Sequence, residues 1–195
     1  MMLKNKFLLD FCLFIGSCAL KAQDIVWCEE SYQKDELRDC YNCSKEYLAS
    51  NPTDLGAMAL IVKCAQSQEE LEYVNQYMKL AYNNHTDLYE KSGTFWIANG
   101  DLHMKLADSM RANASYLLAR NIDSSFIGIN YKVALSSLAC YRENGKYNGY
   151  YSDTERNFTL EKIIYSLNRE LINNPNDSAT LALKKEVENI LGKLI

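Results

Sequence analysis

Proline is almost missing from this 195-residue chain, which has two, and glycine is sparse, with eight. So few breakers exclude a turn-rich all-β chain and long flexible linkers. Strand-like alternation of apolar and polar residues is nearly absent as well. Histidine occurs only at His85 and His103. No Gly-rich phosphate loop, HExxH helix, Gly-x-Ser-x-Gly elbow or paired-carboxylate constellation is present, which argues against the common enzyme classes. Ser31 to Lys34 fits a bare Ser-x-x-Lys pattern, but no Ser-Asp-Asn or Lys-Thr-Gly companion follows. There is no basic run either, so nucleic acid is not an expected partner.

What is there is ordinary in bulk: 48% hydrophobic and 24% charged residues, enough for one domain with a core. Tyrosine (14) outnumbers phenylalanine (6) and tryptophan (2). Its apolar body and polar tip suit helix interfaces and groove walls. Residues 1–22 read as a signal peptide: "MMLKNK" is a basic n-region and "FLLDFCLFIGSCAL" an apolar h-region too short and interrupted to span a membrane. Cleavage after Ala22 is favoured, since "LKAQ" resembles signal-peptide ends in the Bacteroidetes. "IGSC" resembles a lipobox, which would instead cleave before Cys18 and acylate it, giving a route to membrane attachment. Either route exports the chain, to the periplasm, the outer membrane or the medium. Loss of residues 1–22 removes three of 21 basic and one of 25 acidic residues, so the net charge moves from −4 to −6.

Five cysteines then remain: Cys28, Cys40, Cys43, Cys64 and Cys140. An oxidising compartment permits bridges, and an odd number leaves at least one thiol over. Cys40 and Cys43 share a helix face, but without a second pair or a nearby histidine no metal site is expected. No cofactor is expected. The cysteines read as small core residues with one bridge between neighbouring helices.

Apolar residues recur at three and four, as in Leu71, Val74, Met78, Ala81 and Tyr82. Similar stripes run through Leu160, Ile163, Ile164, Leu167 and Leu171, and from Leu181 to Leu194. Breaks are expected at 50–54, 83–87, 121–125, 144–153 and 173–177, where Asn, Pro, Asp and Gly collect. Short breaks force antiparallel neighbours. Pro52 and Pro175 are expected in first helical turns, capped by Thr53-Asp54 and Asn176-Asp177.

Trp96, Gly100, Ala112, Tyr116 and Ala119 are spaced 4, 12, 4 and 3 apart. This resembles the tetratricopeptide repeat, with small residues where two helices approach and aromatics in the wider gaps. Weaker units lie upstream (Met58 to Ala81) and downstream, where Tyr141, Gly145 and Tyr147 match the family's Tyr, turn Gly and Tyr. An insertion of about a dozen residues then displaces the next helix until "NRELINNP". Residues 35–52 look like the second half of a unit, and residues 176–195 like a closing helix. The expected architecture is all-α: antiparallel hairpins of residues 23–195 stacked as a short right-handed solenoid.

The resemblance implies a partner groove on the first helix of each unit. Its candidates are Lys63 and Gln66; Ile97, Asp101, Met104 and Lys105; and Lys132, Leu135, Arg142 and Glu143. Four bases against two acids make a mildly positive groove, suited to an extended acidic segment of a protein or peptide. The family's dicarboxylate clamp is not visible. His103 falls where the repeat puts a tyrosine, so a packed histidine is expected; His85 and Asp87 suit a turn. The alternative reading is a helical enzyme or small-ligand protein with a site at His103, Asp101 and the tyrosine loop 147–153. Asp108-Ser109-Met110 and Asp177-Ser178-Ala179 resemble the O-glycosylation motif of Bacteroidetes exported proteins.

Overall fold

A computed structural model describes residues 24–146 and 153–193. The signal segment 1–22, Cys18 and tyrosines 147, 150 and 151 lie outside the described residues. Among those described, ten helices and no strand are formed. The contacts divide the chain into two compact units, one ending at His85 and one beginning at Thr86.

The first unit holds α1 (Asp24–Gln33), α2 (Leu37–Ser50), α3 (Leu55–Cys64) and α4 (Gln68–Asn84). Each packs on the next. Cys28–Cys43 joins α1 to α2 and Cys40–Cys64 joins α2 to α3, at Cα separations of 5.5 and 5.9 Å. The sequence reading expected one bridge between helices; two form. The i, i+3 spacing of Cys40 and Cys43 on α2 places them near enough to one face to serve both flanking helices.

Asp54 shows how locally this unit is specified. Its Oδ1 caps α3 by accepting from the Ala57 N–H at 2.9 Å, and its Oδ2 accepts from the Tyr47 hydroxyl at 3.1 Å. The Tyr77 hydroxyl of α4 donates to the Pro52 carbonyl at 3.1 Å, tying α4 to the same turn. Pro52 and Pro175 lie in turns ahead of their helices, and Asp54 and Asp177 alone cap. Ser67 and Glu70 make a reciprocal capping box at the start of α4.

The second unit holds α5 (Thr86–Tyr89), α6 (Gly93–Lys105), α7 (Ser109–Ile122), α8 (Ile129–Lys146), α9 (Asp153–Asn173) and α10 (Ser178–Leu191). Helices α6 to α10 pack consecutively, and α8 also touches α10. One core joins Ala112, Tyr116 and Ala119 of α7 to Ile129 and Val133 of α8, with Trp96, Ile97 and Met104 of α6 against it. A second joins Ala134 and Leu138 of α8, Leu160, Ile163 and Leu167 of α9, and Leu183 and Val187 of α10.

Three boundaries differ from the sequence reading. Thr86–Tyr89 is a single helical turn that overlaps the end of the break expected at 83–87, with the buried Tyr89 ring stacked on Phe95 at 4.6 Å. Gly145 is still inside α8 and not in a turn. Most of the expected insertion is the N-terminal part of the 21-residue α9.

Candidate functional site

Gly100 of α6 exists to receive a ring. A Cβ there would stand 2.6 Å from Tyr116 Cδ1 and 2.8 Å from Cζ, far inside van der Waals contact. The Tyr116 hydroxyl reaches past it to Asp101 Oδ1 at 2.6 Å. Lys132 of α8 bonds the same oxygen, and its ammonium lies 5.5 Å from the Tyr116 ring centroid. Burial first, and the Asp101 charge second, push the Tyr116 phenol well above its ordinary range. It stays a neutral donor at any physiological pH, so Tyr116, Asp101 and Lys132 form a clasp across α6, α7 and α8.

A second ion pair joins Arg142 of α8 to Glu186 of α10. Glu143 accepts from the Ser109 hydroxyl at 2.6 Å, and Ser109 also contacts Cys140 Sγ at 3.2 Å. Cys140 is the one free thiol among the described residues, and burial raises its pKa.

The structure therefore brings several expected groove residues together, but in contact with one another. Asp101 meets Lys132, and Arg142 and Glu143 are also bonded within the chain. Lys132 and Arg142, two of the four bases, are each paired with a carboxylate of this chain. Ile97, Met104 and Leu135 are half-buried against the two cores. Lys105 is exposed at the end of α6. Lys63 is exposed on α3, its ammonium 5.7 Å from the Tyr32 ring centroid. Gln66 lies in the turn after α3, not on its face, because the helix stops at Cys64 and the Gln66 N–H donates to Glu70 Oε2.

His103 is buried and engages a different neighbourhood from Asp101. Its Nδ1 makes no hydrogen bond, and Asp108 Oδ2 stands 3.9 Å away. Burial lowers its pKa, against the smaller opposing pull of Asp108. The two residues are two apart on a helix and do not converge. His85 is the C-cap of α4, and Asp87 sits in the single turn of α5. Ser31 is buried with an unpartnered hydroxyl, while Lys34 is exposed beyond the end of α1. Asp108 and Asp177 are both N-caps, which accounts for two Asp-Ser pairs. Of the two serines, Ser109 is buried and Ser178 exposed.

One feature was missed by the repeat register. A cleft of about 760 Å³ opens between α7, α8 and α9. Asn113, Leu117 and Arg120 reach it from α7, and Lys162, Ser166 and Arg169 from α9. Each trio is spaced i, i+4, i+7 or nearly so, one face of a helix. The i, i+4, i+7 spacing of both trios was visible in the sequence, but the repeat directs attention to first helices. None of the described residues lining the cleft is acidic.

Comparisons with protein-family models, with curated proteins and with solved structures find no match for this chain.

Proposed function

We propose that this protein is an exported, tetratricopeptide-like scaffold that holds a protein or peptide partner and performs no catalysis of its own. The observation that carries the reading is the pair of ion pairs Asp101–Lys132 and Arg142–Glu186. They link α6 to α8 and α8 to α10, the alternate helices of successive hairpins, as stacked helical repeats require. The Gly100–Tyr116 interlock supports the same reading, since it gives the family's small and aromatic positions a physical purpose. Two disulfides fit an oxidising compartment, in keeping with the basic and apolar N-terminus. Partner contact falls to the positions left exposed, Thr94 and Lys105 on α6 and Lys63 on α3, and any membrane attachment to a lipid on Cys18.

The test is co-purification from the native host's envelope. Lys105→Glu and Lys63→Glu leave the clasp intact and should reduce recovery of a specific partner several-fold. Recovery unchanged in both variants removes these positions from the reading. N-terminal sequencing of the purified protein settles export: a chain starting at Gln23 or at an acylated Cys18 supports it, and an intact Met1 contradicts it.

A further inference from the structure

The cleft between α7, α8 and α9 gathers positive charge. Arg120 and Arg169 lie close enough for their like charges to act on one another, with Lys162 as a third cation in the lining. Among the described residues, neither arginine takes part in an ion pair. Arg120 is half-buried, and burial first, with Arg169 second, lowers its pKa while leaving it charged. Two like charges lining one cleft, one of them half-buried, cost free energy, and an anion bound between them recovers it.

The remaining lining is neutral. Asn113, Ser137 and Ser166 supply neutral polar groups, and Val133 and Ile163 a short apolar wall. Asn113 is held in place by donating to Ser137 Oγ at 2.7 Å and Ser136 Oγ at 3.0 Å. A cleft of about 760 Å³ is the size of a small-molecule site. Planar guanidiniums match carboxylate and phosphate oxygens in bidentate fashion.

We infer that this cleft binds a small organic oxyanion, a phosphorylated or polycarboxylate compound, with Arg120 and Arg169 as its principal ligands. The site is built from α7, α8 and α9 and is independent of the proposed partner face, so either claim can fail alone.

Isothermal titration of the purified, disulfide-bonded protein with pyrophosphate and, separately, citrate tests it at low ionic strength. Saturable one-to-one binding of either probe is expected, the tighter one naming the ligand class. Arg169→Gln, an exposed position, should weaken it by about tenfold or more. Arg120→Gln should do the same, and Arg120→Lys should fall between, keeping the charge but losing the fork. Lys185→Gln, an exposed cation on α10, makes the same charge change elsewhere and should leave binding within about twofold. Absence of saturable binding for both probes overturns the site. Equal weakening by Arg169→Gln and Lys185→Gln overturns it too, since that is a net-charge effect. Should Arg120→Gln fail to fold, Arg169→Gln decides.

Discussion

The Tyr116 hydroxyl donates to Asp101 Oδ1 at 2.6 Å while its ring lies over Gly100, so one side chain both fills a gap between helices and fixes the charge beside it. The ring cannot swing aside without breaking that bond. Gly100→Ala should therefore cost about 1–3 kcal/mol, as overpacked sites do. Urea unfolding checks the value. Adding Tyr116→Leu should recover part of the loss, giving a coupling well away from zero.

The clasp itself should behave as one unit. Asp101→Asn removes the charge that Lys132 and Tyr116 share and is expected to cost about 2 kcal/mol. Lys132→Met should cost less, because its side chain is one-third exposed. The double variant should lose clearly less than the two single losses together. Additive losses would show that the pair is not coupled.

The reach of the sequence reading follows from where the breakers lie. Asn, Pro and Asp marked the α2–α3, α7–α8 and α9–α10 turns correctly. The turns at Lys34–Glu36, Ala65–Ser67 and Leu106–Asp108 were not marked by breakers, since none contains glycine or proline. At two of them the left-handed residue is Asp35 (φ 61°) and Ala107 (φ 56°), where a glycine is usual. Trp96, Gly100, Ala112 and Tyr116 were legible because small and large residues alternate at fixed spacing. The pairing of Asp101 with Lys132 was not, since it depends on which helices become neighbours. The same holds for the arginine cleft.

Cysteine connectivity gives a separate prediction. Non-reducing peptide mapping should return Cys28–Cys43 and Cys40–Cys64, with Cys140 alkylated. The bridges close loops of 15 and 24 residues in sequence separation, worth about 3 kcal/mol each. Reduction should raise hydrogen exchange in α1 to α3 and leave α6 to α10 protected. A Cys40–Cys43 linkage would contradict the packing of α2.

Acid should find His103. Burial holds its folded pKa below the ordinary value near 6.5, so the unfolded chain takes up this proton first. The stability it contributes is whole above about pH 6.5 and is lost as pH falls through the folded value. The drop in melting temperature between about pH 7.5 and about pH 5 should be smaller in His103→Gln than in the parent. An equal drop would mean that His103 is protonated freely in the folded state.

The central claim, a partner held on the alternate helices, is tested most directly by site-specific photocrosslinking in the native host. A photoreactive residue at Thr94 or Lys105, exposed on α6, should give a discrete adduct with one protein. The same residue at Met110 or Leu118, exposed on α7, should not. Adducts from α7 alone, or from neither helix, would contradict the account.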